Sequence, residues 1–100
     1  MIARIWHGCV PASRAEAYLS LMRTVALPEY HSTDGNAGAW CLTRVDGELV
    51  HFEMFSLWES LESIRNFAGA EVERAKYYDF DKDFLIELEP MVRHYDAHSS

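Results

Sequence analysis

The chain contains 100 residues, of which 49% are hydrophobic and 25% are charged, and its formal net charge is −7. This length accommodates one hydrophobic core, and the composition is typical of a globular protein. Because the 9 lysines and arginines are scattered among 16 acidic residues, we expect no nucleic-acid partner and no membrane partner.

The N-terminal third predicts a strand followed by a helix. Residues Ile2 to Cys9 alternate in the manner of a strand. Ser13 and Glu16 have the spacing of a capping box at a helix start. Pro28 is predicted to end this helix, because the residue before a proline is disfavoured in the α conformation. The apolar positions of the helix recur every three or four residues: Ala15, Tyr18, Leu19, Met22, Val25 and Ala26.

A polar loop connects the first helix to a predicted β-hairpin. The strand over residues 38–45 is followed by Asp46-Gly47, which is a strong signal for a two-residue hairpin turn. The returning strand covers residues 50–58. A turn at this position places Leu42 opposite His51.

The remaining residues predict a second helix and a last strand. Ser60 begins the helix and Gly69 ends it. A short helical piece is predicted over residues 71–77 and an irregular aromatic and acidic stretch over residues 78–89. The last strand is predicted over residues 91–97. We expect one domain over residues 1–97 and a frayed C-terminus over residues 98–100.

The element order β-α-β-β-α-β predicts an α+β, ferredoxin-like fold with a four-stranded antiparallel sheet and helices on one face. One face of the hairpin suits a core beneath the helices. The other face mixes apolar and ionisable groups and is too apolar to leave in water. We therefore expect a homodimer through the sheet face that carries Trp40, Leu42, His51, Glu53 and Phe55.

Several kinds of chemistry are disfavoured by the sequence. Asp79, Asp81 and Asp83 imitate the first three ligands of a calcium loop, but Phe84 replaces the required glycine and Pro90 replaces the closing glutamate. Convergent zinc ligands, an activated nucleophile and a phosphate-binding loop are also missing. The sequence therefore predicts neither a metal nor a cofactor. With too few cysteines for a disulfide framework and no signal peptide, we expect a cytoplasmic protein.

Aromatic residues and histidines remain as candidates for function. A cavity between sheet and helices, lined by aromatic side chains, methionine and one or two histidines, would suit a flat hydrophobic ligand. His94 shares a face of the last strand with Val92 and Asp96. The alternative is also open, because such a histidine is more often a hydrogen-bonded core residue and tryptophans more often anchor cores.

Several segments together resemble a known family. The segments are Ile2-Ala3-Arg4-Ile5-Trp6-His7-Gly8, Gly35-Asn36-Ala37-Gly38-Ala39, Leu57-Trp58-Glu59-Ser60, Tyr77-Tyr78 and Glu89-Pro90 with His94-Tyr95. They are similar to antibiotic-biosynthesis-monooxygenase-type domains of the dimeric α/β-barrel superfamily, over nearly the whole chain. That superfamily includes cofactor-free monooxygenases of polycyclic aromatic or quinol substrates, haem-degrading enzymes and isomerases.

The resemblance implies a site as well as a fold. It makes His94 the candidate base or hydrogen-bond partner of a cofactor-free oxygenase. The haem-degrading relatives use a histidine from the second-helix region, and this chain has none between His51 and His94. The expected substrate is a small aromatic or quinol-type molecule. The alternative is a non-catalytic ligand-binding or accessory protein on the same scaffold. The expected pocket residues are Trp6, Asn36, Phe52, Met54, Trp58 and Tyr77.

Overall fold

The computed structural model describes residues 1–99. A π-helical segment, Met22–Ala26, joins the first two helices, and short 3-10 turns cover Ala12–Arg14 and Asp81–Asp83. The strands are β1 (Ile2–Pro11), β2 (Asn36–Asp46), β3 (Leu49–Trp58) and β4 (Arg93–Asp96), and the helices are α1 (Ala15–Leu21), α2 (Leu27–Ser32) and α3 (Leu61–Ala68).

The four strands form one antiparallel sheet in the order β2-β3-β1-β4. This is the ferredoxin-like α+β fold that the element order predicts, with the helices on one face. We call that face the inner face and the opposite one the outer face. Alternate side chains of the central strands are buried on the inner face, as predicted for β3: Arg4, Trp6, Val10, Phe52, Met54 and Trp58.

The β2–β3 hairpin turns one residue later than the sequence predicted. Asp46 pairs with Leu49, so that Gly47 and Glu48 form the turn. Gly47 has a φ of +60°, a conformation that glycine adopts without steric cost. His51 consequently lies opposite Arg44 rather than Leu42. Because the register differs by two residues, every side chain keeps its predicted face.

The first helical region differs from the prediction at both ends. The capping box of Ser13 and Glu16 does not form, because the region starts with a 3-10 turn and no side chain caps α1. Pro28 does not end the region either. In the π-helical segment, the Leu27 N–H donates to the Met22 carbonyl. This wide turn leaves room for the proline ring, which lies in the first turn of α2, where a missing N–H is tolerated.

The second predicted helix is confirmed as α3. Ser60 caps it, since its hydroxyl accepts from the Ser63 N–H at 3.2 Å and the Ser63 hydroxyl accepts from the Ser60 N–H at 3.1 Å. The helix ends at Gly69, whose φ of +96° favours glycine. Ile64 and Phe67 are buried against the sheet.

Residues 70–91, which we call the cover segment, contain no helix where one was predicted over residues 71–77. The backbone there pairs with the chain before β4: the Ala75 N–H donates to the Pro90 carbonyl at 2.9 Å and the Val92 N–H to the Glu73 carbonyl at 2.8 Å. A short helix is marginal without a buried apolar face. The extended pairing is therefore the favoured conformation.

The last strand is shorter than the predicted residues 91–97. β4 pairs with β1 from Ile5 opposite Arg93 to Ile2 opposite Asp96, whereas Met91 forms an isolated bridge with Arg74. The predicted frayed C-terminus includes Ser100, which lies outside the described residues. Across residues 1–99, no helix is long and apolar enough to span a membrane.

Candidate functional site

The space between the inner face, the helices and the cover segment is nearly filled by side chains. We call it the inner compartment. Its free volume is about 10 Å³, which is about enough for one water molecule. A flat ligand can therefore enter only when the covering residues move. The lining side chains come from every layer of the fold: Trp6, Tyr18, Met22, Ala26, Tyr30, Met54, Lys76, Tyr78 and Asp81.

A stripe with four-residue spacing forms the helical wall of the inner compartment. Tyr18, Met22, Ala26 and Tyr30 are all buried and lie on successive turns. A spacing of four is slightly longer than the 3.6 residues of an α-helical turn. The wider turns of the π-helical segment therefore keep the stripe facing the sheet as far as Tyr30.

One polar contact joins the cover segment to this wall, and a second one at the same carboxylate orders the segment itself. The Tyr18 hydroxyl donates to the Asp81 carboxylate at 2.6 Å, and the Tyr78 N–H donates to the same carboxylate at 2.7 Å. Burial raises the pKa of Asp81, and these two hydrogen bonds oppose that change. Lys76 adds a hydrogen bond to the Phe67 carbonyl at 3.0 Å and an ion pair with Glu29.

The predicted pocket residues occupy different places around the inner compartment. Trp6 and Met54 line it. Tyr77 contacts Trp6 edge-on, with ring centroids 6.1 Å apart, and its hydroxyl donates to the Glu89 carbonyl. Phe52 is buried and contacts the Tyr18 ring edge-on, with ring centroids 4.9 Å apart.

The other two predicted pocket residues have contacts within the fold. Trp58 packs against Phe67 at 5.4 Å and donates its indole N–H to the Ser56 hydroxyl at 2.8 Å. Asn36 lies at the start of β2, where its side chain accepts from the Gly38 N–H at 3.1 Å and donates to the Leu57 carbonyl at 3.3 Å. Neither side chain lines the inner compartment.

His94 lies directly opposite Arg4 in the β1–β4 pairing. Directly paired side chains of an antiparallel sheet point to the same face, so His94 is on the inner face. Its Nε2 atom is buried and has no hydrogen-bond partner among the described residues. Burial lowers the pKa of His94, the nearby Arg4 charge lowers it further, and Glu73 partly opposes both effects. The imidazole is therefore neutral, and a neutral imidazole can accept a proton.

Sequence reasoning missed Arg4 and Tyr30 as residues of this region. Arg4 is 1% exposed, and its position between Ile2 and Trp6 in the alternating strand was a signal for an inward-pointing charge. The sequence places Tyr30 in a polar loop if Pro28 ends the helix, as predicted. The four-residue spacing from Tyr18 was the signal that could have identified it.

A second polar cluster lies on the outer face. The His7 and His51 rings are joined by a hydrogen bond, with 2.9 Å between His7 Nε2 and His51 Nδ1. Glu89 accepts from the far side of His7 at 2.5 Å, and Asp46 accepts from the far side of His51 at 3.0 Å. Within residues 1–99, no group of three or more histidine, cysteine or acidic side chains could hold a metal ion.

Comparisons with known proteins identify the fold. No family model and no curated protein matches the chain. Among solved structures, that of Rv0793 from Mycobacterium tuberculosis is 15% identical, with a TM-score of 0.67 over 99% of this chain and 96% of that one. A crystal structure of a MhuD mutant with two manganese protoporphyrin IX molecules bound per active site is 16% identical, with a TM-score of 0.62 over 100% of this chain and 97% of that one.

These similarities extend over both chains almost completely, and at such low identity they concern the fold. The sequence segments that resemble a known family agree with them. The chain therefore shares the α+β, ferredoxin-like fold of these two solved structures.

Proposed function

We propose that this domain, residues 1–97, is a cytoplasmic, cofactor-independent monooxygenase that acts on a small aromatic or quinol-type substrate in the inner compartment. The observation that carries the proposal is His94, a histidine of lowered pKa whose buried Nε2 atom has no partner within residues 1–99. A neutral imidazole in a water-excluded site is suited to remove a proton from an acidic substrate.

The proposed reaction needs no redox group from the protein. His94 accepts a proton from the substrate, and the resulting electron-rich anion reacts with O₂ to form a C–O bond. Loss of water then leaves a carbonyl group. For an anthrone, the CH₂ group and O₂ become C=O and H₂O, so both oxygen atoms are accounted for. The protein contributes the base, hydrogen-bond donors for the anion and exclusion of water.

Substrate entry in this proposal requires the cover segment to move. Tyr77, Tyr78 and Asp81 lie over the inner compartment and are held by a few hydrogen bonds. A segment that contains only a 3-10 turn and an isolated bridge costs less to displace than an α-helix or a central strand. The substrate would replace side-chain contacts that now fill the compartment.

The residues of this chain do not fit a haem site of the kind that uses a histidine from the second-helix region. Helix α3 and the cover segment contain no histidine, and the inner compartment has a free volume of about 10 Å³. The porphyrin in the MhuD structure therefore supports the presence of a ligand pocket in this fold. It does not support haem chemistry in this chain.

Oxygen consumption tests the proposed function directly. We expect the purified protein to consume O₂ when supplied with one or more members of a panel of hydroquinones and anthrones, without added metal, flavin or haem. An oxygen electrode measures the rate, and mass spectrometry after reaction under ¹⁸O₂ shows whether one oxygen atom enters the product. Heat-denatured protein corrects for autoxidation. Rates equal to autoxidation across the whole panel would contradict the proposal.

A second candidate function is non-catalytic ligand binding on the same scaffold. The nearly filled inner compartment favours it, because every predicted aromatic residue is already packed in the hydrophobic core or against it. In this case His94 is structural. Ligand binding without oxygen consumption would identify this second function.

We also propose that two copies of the chain associate through their outer faces. The helices leave this face uncovered, and Trp40 and Leu42 are 49% and 50% exposed on it. A shallow cleft of about 300 Å³ crosses the same face and is lined by both acidic and basic side chains, among them Glu53 and Arg44. A second copy related by a two-fold axis can place these opposite charges against each other. The proposed interface contains Trp40, Leu42, His51, Glu53 and Phe55.

Changing Leu42 to glutamate should weaken this dimer. A carboxylate that replaces an apolar side chain in a buried interface is costly, and we expect the dissociation constant to rise by about 30-fold or more. Analytical ultracentrifugation at micromolar concentration measures it. Val45→Glu is the matched control, because Val45 is 75% exposed at the hairpin end and its side chain points to the other face. A monomeric wild-type protein at these concentrations would contradict the interface.

A further inference from the structure

Arg4 is a buried cation that has no acidic partner among the described residues 1–99. Its side chain is 1% exposed. One guanidinium nitrogen donates to the Arg74 carbonyl at 3.0 Å, and the group lies 5.6 Å from the centre of the Phe67 ring. Within residues 1–99, no carboxylate forms an ion pair with it. An isolated buried charge is strongly unfavourable. A negatively charged ligand beside Arg4 would compensate its charge.

Unsatisfied nitrogens are concentrated around this cation. Three buried side-chain nitrogens in residues 1–99 have no hydrogen-bond partner, and they are Arg4 Nε, Trp6 Nε1 and His94 Nε2. Arg4 and Trp6 are two residues apart on the inner face of β1, and His94 is directly opposite Arg4 on β4. The first two nitrogens can only donate. The Tyr30 hydroxyl lies near Arg4 and the Tyr77 hydroxyl near Trp6, but neither forms a hydrogen bond with these two nitrogens. Buried donors are nearly always paired in native proteins, so an added acceptor beside them is the simplest explanation.

The neighbouring tyrosines do not supply the missing charge. Burial raises the pKa of Tyr30 to about 12, against the opposing effect of Arg4, so that its phenol is neutral under physiological conditions. The Tyr77 hydroxyl already donates to the Glu89 carbonyl. The protein side chains around Arg4 therefore leave its charge uncompensated.

We propose that Arg4 and Trp6 form an anion-binding subsite on the inner face of the sheet, next to β4 and beside the inner compartment that Trp6 lines, and that the natural ligand is an aromatic molecule with an ionised oxygen. The oxygen belongs either to a carboxylate or to a phenolate. This inference deepens the proposed function, because a phenolate is the species that His94 would generate by removing a proton. The guanidinium and the indole N–H would hold the anion beside the base.

Binding of matched aromatic probes tests the subsite without any turnover. Isothermal titration calorimetry under nitrogen compares 1-naphthoate with 1-naphthamide, which has nearly the same shape and no charge. A second pair, 4-nitrophenolate and 4-nitroanisole, tests the phenolate source. We expect the anion of at least one pair to bind about tenfold or more tightly than its neutral partner. Equal affinities within both pairs, or no binding of any probe at millimolar concentration, would overturn the inference.

Substitutions at Arg4 test whether this residue causes the preference for anionic probes. Arg4→Gln should reduce the ratio of anion to neutral affinity to near one, and Arg4→Lys should retain part of it. Arg65→Gln, a change of an exposed arginine on α3, should leave the ratio as in the wild type. Circular dichroism checks that the variants fold. If Arg4→Gln does not fold, the affinities of the wild-type protein for the two probe pairs still decide whether an anion-binding subsite exists. A full preference for anions in folded Arg4→Gln would contradict the assignment.

The outcomes separate this inference from the proposed function. Preference for anions without oxygen consumption would retain the subsite and refute the monooxygenase. Oxygen consumption without any preference for anions would retain the monooxygenase and refute the subsite.

Discussion

Replacing His94 with alanine is expected to lower kcat for oxygen consumption by about 10²- to 10⁴-fold, which is the usual contribution of a positioned general base. The loss should appear in kcat, because the proton transfer occurs in the transition state and not in substrate binding. Steady-state oxygen-electrode measurements on the substrate found in the panel give both kinetic parameters. An unchanged kcat would refute the role of His94 and leave the monooxygenase itself in place.

His31→Ala provides the matched control for this substitution. His31 is an exposed histidine in the last turn of α2, and its removal should leave kcat and KM at their wild-type values. His94→Gln keeps a side chain of similar size that cannot act as a base, so that it separates proton transfer from packing.

The pH dependence of the same reaction follows from the lowered pKa of His94. Burial and the Arg4 charge keep its imidazole unprotonated below the ordinary value of 6.5. We therefore expect kcat/KM to remain high at pH values where an ordinary histidine would already be charged. The stabilising contribution of neutral His94 is complete above the unfolded pKa and is lost as the pH falls through the folded one. The free energy of unfolding of His94→Gln should depend less on pH across this range.

Replacing Trp58 with alanine is expected to lower the free energy of unfolding by about 3–5 kcal/mol. Trp58 is fully buried and lies where β3 ends. Its ring packs against both Tyr30 and Phe67, with centroid distances of 6.3 and 5.4 Å. Alanine would leave a large cavity between α2, α3 and the sheet, and it would remove the indole donor to Ser56.

Urea unfolding measures the change in the free energy of unfolding. All variants are compared at the same protein concentration, because association contributes to stability. Trp58→Phe should be less destabilising, since it keeps most of the ring and loses the hydrogen bond. Leu61→Ala, at an exposed position on α3, should change the free energy of unfolding by about 0.5 kcal/mol or less. A Trp58→Ala effect as small as that of Leu61→Ala would show that Trp58 does not support the core.

The sequence by itself determined the fold and the two faces of the sheet. The alternation along β3 specified which side chains meet the helices, and this result withstood a two-residue difference in hairpin register because the side-chain period of a strand is two. Ser60 and Gly69 determined the ends of α3 through local hydrogen bonding and backbone conformation. Such signals lie within a few residues of each other, so they can be read directly from the chain.

Only the tertiary structure decided the contents of the inner compartment. Arg4 and His94 are neighbours because β1 and β4 pair, and no local pattern connects residues so far apart in the chain. The cover segment forms extended pairs instead of a helix because residues 90–92 offer it partners. Tyr30 reaches the sheet because a π-helical turn accommodates Pro28. Each of these outcomes depends on long-range contacts that override local propensity, and the β1–β4 pairing among them places the proposed base beside the buried cation.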